Sequence, residues 1–246
     1  MLEICVAVAK AGRHAAAESG DTLEIIEIPG GGFSFVLVSS EGSGRGAKTL
    51  SDLVASRVLL LLKDGARDSA VAQTVHDYLY TYRMGQVAAT LNILSVDVSS
   101  GQIRMVRNNP APFFVIDRSG THMYQDEAQP IGLHAHTSPV VTSLPIAAYT
   151  YVVMFTASLL QAGAHQGRDM ELPNYLAGWV ADDGRLPDEL TELLLQRAML
   201  LDGGEIQHDI SIATLAILPA AHRLEQHEGM AAPVRRFYLS VPFEHL

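Results

Sequence analysis

Val36-Leu37-Val38-Ser39-Ser40-Glu41-Gly42-Ser43-Gly44-Arg45-Gly46-Ala47-Lys48-Thr49-Leu50 joins the end of a strand, a glycine-rich turn and the start of a helix. Apolar residues end at a run of alternating glycines, after which Leu50, Leu53, Val54, Val58, Leu61 and Leu62 recur at helical spacing up to Lys63. Glycine-rich turns at such junctions can hold phosphate or metal, because backbone N–H groups project from the helix start. A phosphate-binding loop of the form G-x-x-x-x-G-K-[ST] is not met, since Ala47 separates Gly46 from Lys48. A flexible turn that uses glycine's access to positive φ accounts for the same spacing. Nucleotide binding by Gly42 to Thr49 is therefore a distant reading.

Working outward, strand-like runs occupy Glu3 to Ala9, Leu23 to Ile28 and Phe33 to Ser39, with Pro29-Gly30-Gly31-Gly32 as a hairpin turn. A second helix is predicted over Ala70 to Arg83, through Val71, Val75 and Leu79. Strands return at Ala88 to Val98, Ile103 to Arg107, Pro112 to Ile116, Val140 to Leu144 and Tyr151 to Thr156. The turns Ser99-Ser100-Gly101 and Arg118-Ser119-Gly120 are short enough to require antiparallel neighbours. Helices follow near Leu172 to Val180 and at Pro187 to Leu201, the latter with Pro187 at its first position and Asp188-Glu189 at its positive end. Strands Ile210 to Leu218 and Arg235 to Val241 complete the chain. Runs of strands separated by helix pairs predict an α+β layered fold of two packed sheets with helices outside, not a doubly wound parallel sheet.

Composition bounds what such a fold does. The chain has 246 residues, 48% hydrophobic and 18% charged. Its mean hydropathy is +0.16, so it can bury a large core and reads as one domain over residues 1–246. A net charge of −10 argues against a nucleic-acid surface, which needs clustered Lys and Arg. The single cysteine, Cys5, cannot form an internal disulfide and reads as an inert half-buried thiol. No signal peptide or membrane-length apolar run is visible, so a cytoplasmic setting without a membrane is expected.

Three carboxylates stand at predicted strand ends: Asp21 in Ser19-Gly20-Asp21, Glu41 before the glycine turn, and Asp209 in His208-Asp209. Each alone reads as a turn or cap residue. Together they can converge in one cleft and bind hard divalent cations through oxygen. His134-Ala135-His136 lacks a further metal partner. Ser34, Ser43 and Ser158 lack the G-x-S-x-G elbow. Asp182-Asp183 reads as a solvated turn, and Trp179 with Leu193-Leu194-Leu195 as packing surface.

The order of these segments resembles the PPM family of metal-dependent serine/threonine phosphatases, in its SpoIIE and RsbU branch. The resemblance spans roughly Leu2 to Leu218. It rests on Ser19-Gly20-Asp21, Glu41-Gly42-Ser43-Gly44-Arg45-Gly46, Asn109-Pro110-Ala111-Pro112 with Pro130-Ile131-Gly132, Thr156-Ala157-Ser158 and His208-Asp209. It implies a four-layer αββα sandwich with a two-metal cleft, in which a metal-bound water attacks phosphoserine or phosphothreonine. The implied metal ligands are Asp21, Glu41, the Gly42 carbonyl and Asp209, with Mn2+ or Mg2+ as one or two ions. The implied partner is a phosphoprotein, such as an anti-sigma-antagonist-type regulator. No residue beyond the metal ligands is implied as catalytic. Two positions depart from the family pattern. Glu41 stands where the family has Asp and adds a methylene, and Ala157 replaces the Asp of Thr-Asp-Gly, so one of the two sites is expected to be weak. A pseudophosphatase that binds phosphoprotein or regulator without hydrolysis is the alternative.

Overall fold

In the computed structural model, which describes residues 2–13, 18–29, 31–42 and 44–220, the elements in chain order are as follows. They are β1 (Leu2–Ala11), β2 (Thr22–Glu27), β3 (Gly32–Ser40), α1 (Arg45–Lys63), α2 (Asp68–Arg83), β4 (Ala89–Asp97), β5 (Gln102–Asn108) and β6 (Phe113–Asp117). After these come β7 (Gly120–Tyr124), β8 (Val140–Pro145), β9 (Thr150–Phe155), α3 (Leu172–Ala177), α4 (Pro187–Leu201) and β10 (Ile210–Pro219). One sheet has the order β1-β10-β9-β6-β7 and the other β2-β3-β4-β5-β8. Every neighbouring pair is antiparallel.

The near-continuous apolar strands have a simple cause: both faces of each sheet are covered, so successive side chains enter different cores. In β10, Ile210, Ile212, Ala216 and Leu218 pack with α3 and α4, while Ala213, Leu215 and Ile217 face the second sheet. In β9, Tyr151, Val153 and Phe155 take the helix side and Val152 and Met154 the sheet side. In β3, Val36 and Val38 meet α1 and α2, while Phe35 and Leu37 fill the space between the sheets. On α1 the buried residues Leu50, Val54, Val58 and Leu62 form one stripe. Burying a side chain of this size contributes about 1.5–3 kcal/mol, and three such layers hold the four-layer α+β sandwich together. The expected αββα architecture is thus observed.

Two details differ from the sequence reading. β7 is an additional strand, polar and half exposed, which the composition of Gly120–Tyr124 conceals; it pairs with β6 across the turn at Arg118 and Ser119. α3 ends at Ala177, with Gly178 as its C-cap, short of Val180. The strand expected over Arg235 to Val241 lies outside the described residues.

Candidate functional site

The site lies at one end of the sandwich because four strand termini meet there. β1 ends and β10 begins on one sheet, with Ala11 paired to Ile210. On the same sheet β9 ends as Phe155 pairs with Ile212. On the other sheet β2 begins and β3 ends, with Thr22 paired to Val38. Asp21 therefore precedes β2, Glu41 follows β3, Ala157 follows β9 and Asp209 precedes β10.

Hydrogen bonds between the sheets fix this end. The Ser211 hydroxyl on β10 donates to Asp21 Oδ2 at 2.7 Å. Asp209 accepts the Gly20 N–H at Oδ2, 2.6 Å, and the Arg13 N–H at Oδ1, 2.8 Å. Gly20 is held from the helix side as well, since the buried Ser51 of α1 donates to its carbonyl at 2.6 Å. A Cβ at Gly20 would stand 2.8 Å from the Ala47 Cβ, so the Ser-Gly-Asp segment needs glycine to let α1 approach.

Thr156-Ala157-Ser158 is tied to the start of β10 by its hydroxyls. Thr156 Oγ1 accepts the Ser211 N–H at 3.0 Å, Thr156 and Ser158 share a 3.0 Å contact between hydroxyls, and Ser158 donates to the Asp209 carbonyl. Ala157 starts a short 3₁₀ turn and packs on the core beneath it.

Two lysines join the carboxylates here. Lys10, near the end of β1, donates to the Asp21 carbonyl at 2.5 Å, and Lys48, in the first turn of α1, donates to the same oxygen at 3.2 Å. Lys48 also donates to Thr22 Oγ1 at 2.9 Å and pairs with Asp52 at 2.9 Å. Desolvation and the neighbouring Lys48 pull the Lys10 ammonium below its ordinary value, against the attraction of Asp21 and Asp209. Burial pushes the Asp21 carboxyl above the usual carboxylate range, and the charge of Asp209 adds to this, while hydrogen bonds from Ser39 and Ser211 oppose it.

Asp21 and Asp209 are thus brought together. Glu41 and Gly42 lie exposed on the loop directly after β3, with Gly42 at φ +93°. Among the described residues no three or more His, Cys, Asp or Glu side chains are gathered to hold a metal ion. Asp209 has both oxygens engaged by backbone amides, and Ala157 supplies no donor. These donors do not fit a two-cation centre.

The remaining motif residues brace the site. The buried Arg107 guanidinium donates to the carbonyls of Asn109 at 2.6 Å, Ala111 at 3.0 Å and Asp126. Asn109 in turn donates to the Phe155 carbonyl at 3.3 Å, just before Thr156. His134, His136 and His208 are exposed, as are Asp182 and Asp183, and Trp179 is buried in the core under α3 and α4. Sequence reasoning missed Lys10, Ser211 and Arg107, which are single polar residues in strand patterns, and weighed Lys48 only against a phosphate loop.

Two antiparallel sheets between helix layers, with carboxylates at one shared end, define the phosphatase-type sandwich. The sequence profile of the family Stage II sporulation protein E (SpoIIE) matches residues 29–217, and the chain belongs to that family. A curated relative, the stage II sporulation protein E of Priestia megaterium, is 18% identical over 206 residues, covering 83% of this chain and 35% of the relative. The chain thus spans about a third of that relative's length.

Among solved structures, the PP2C phosphatase domain of SpoIIE from Bacillus subtilis, with a fragment of its regulatory domain, superposes with a TM-score of 0.77 at 18% identity. That match covers 88% of this chain and 64% of that one. The RsbU and RsbW domains of Rv1364c from Mycobacterium tuberculosis give 0.69 at 16% identity, covering 87% and 60%. RsbX, solved in complex with magnesium, gives 0.65 at 11% identity, covering 88% and 100%. No helix among the described residues is long and apolar enough to cross a membrane.

Proposed function

We propose that this chain, as a single cytoplasmic domain, recognises phosphoserine or phosphothreonine on a regulatory partner protein, and that it acts as a binding module. Family membership supports the phosphoprotein class of ligand, and an anti-sigma-antagonist-type protein is the partner we favour. The observation that carries the binding reading is Ala157. It leaves the strand ends without the carboxylate that the family pattern would add to Asp21, Glu41 and Asp209, while Asp209 is engaged by the Gly20 and Arg13 amides. A fold held by three apolar layers keeps its shape without a cation, so recognition can outlast hydrolysis.

The second reading is metal-dependent hydrolysis of the same phosphoproteins, with Asp21, Glu41, the Gly42 carbonyl and Asp209 as ligands to Mn2+ or Mg2+. It is favoured by the family and by the meeting of Asp21 and Asp209. Hydrolysis of p-nitrophenyl phosphate by the full chain, with and without manganese, separates the two. The binding reading expects no manganese-dependent turnover in the wild type, and gain of manganese affinity in Glu41→Asp with Ala157→Asp. Wild-type turnover that collapses in Asp21→Asn and Asp209→Asn would establish the hydrolytic reading instead.

A further inference from the structure

We propose that Lys10 and Lys48, with the open first turn of α1, form a metal-free subsite for a phosphoryl group. The proposal deepens the binding reading given above by naming the groups that receive the phosphate. Lys10 comes from β1 and Lys48 from α1, yet both ammonium groups meet at one oxygen, the Asp21 carbonyl. Asp52 already pairs with Lys48 at 2.9 Å, and a dianionic phosphoryl group would add a further charge-assisted partner for the two ammonium groups.

Donors remain for such a ligand. Lys48 is spent on Asp21, Thr22 and Asp52, and contributes chiefly charge. Lys10 has three N–H groups, and among the described residues only the Asp21 carbonyl takes one of them. The first turn of α1 adds backbone amides: Gly44 caps it without a side-chain hydrogen bond, and no acid stands in that turn. Among the described residues, nothing lies within 4 Å of the place a Cβ would take at Gly42, Gly44 or Gly46.

Three carboxylates stand around the lysine pair, each with partners of its own. Asp21 is buried against Ser211, Asp209 faces the Gly20 and Arg13 amides, and Asp52 is bound by Thr22 and Lys48.

The test is isothermal titration of the full chain with inorganic phosphate in EDTA, followed by titration with a phosphoserine peptide. One saturable phosphate site is expected in the wild type, weakened about tenfold or more in Lys10→Met, the loss of one charge-assisted hydrogen bond. Lys48→Met is expected to weaken it similarly; because Lys48 also supports Thr22 and Asp52, Lys10→Met and the charge-preserving Lys10→Arg decide the matter if that variant does not fold. Lys10→Arg should retain binding. No saturable phosphate binding in EDTA, or binding unchanged in Lys10→Met, overturns the subsite. Phosphopeptide binding that survives both methionine variants removes the lysine assignment and leaves the binding function standing. Phosphate binding through the lysines without phosphopeptide binding does the reverse.

Discussion

Asp209 Oδ2 accepts the Gly20 backbone N–H at 2.6 Å, across 189 residues of sequence. With the Arg13 amide on its other oxygen, this carboxylate holds the connection between β1 and β2 against the head of β10. A side chain at the position of a metal ligand is thereby part of the protein's own structure.

Replacing Asp209 by Ala should therefore lower stability even in EDTA. Two charge-assisted bonds are lost from a half-exposed site, so about 1–3 kcal/mol is expected from urea unfolding midpoints. An unchanged midpoint would mean that the carboxylate does not clamp the connection.

Gly20→Ala places a methyl group 2.8 Å from the Ala47 Cβ. Overpacking of this kind costs about 1–3 kcal/mol. Gly20→Ala combined with Ala47→Gly should recover part of the loss, beyond the helix cost of the new glycine. A double-mutant cycle reads this as a coupling energy, and additive effects would refute the contact.

His76 gives the stability a pH dependence. It is buried on α2, its Nδ1 accepts the Gly132 N–H at 3.2 Å, and burial lowers its pKa below the ordinary 6.5. The unfolded chain then binds a proton that the folded chain refuses, so stability present above pH 6.5 falls as pH drops below it. The slope approaches about 1.4 kcal/mol per pH unit. Urea unfolding between pH 7 and 5 should show a part of the slope that disappears in His76→Gln; equal slopes in both proteins would contradict it.

Arg107 is 1% exposed and serves three backbone carbonyls. Arg107→Leu strands those acceptors, each at about 1–3 kcal/mol, so a loss of at least ~3 kcal/mol is expected. Arg107→Lys keeps the charge but not the fork and should recover only part. Thermal unfolding of both variants decides this, and a Leu variant as stable as the wild type would show that the brace is dispensable.

The sequence by itself determined the layered fold. Apolar runs in β3, β9 and β10, the helical stripe from Leu50 to Leu62 and the short turns each specify their element locally, and burial on both faces leaves little else for such strands to do. It also placed Asp21, Glu41 and Asp209 at strand ends, and the resemblance to the phosphatase family marked Ala157 as a missing carboxylate. β7 escaped because its residues are polar and pair only through the hairpin with β6.

What the tertiary structure alone decided is what these residues touch. Asp209 on backbone amides, Ser211 on Asp21, and Lys10 and Lys48 on one carbonyl oxygen join residues far apart in the chain, and neither periodicity nor spacing encodes such contacts. Their physical cause is the meeting of two sheets at one edge, where buried polar groups must find partners across the gap.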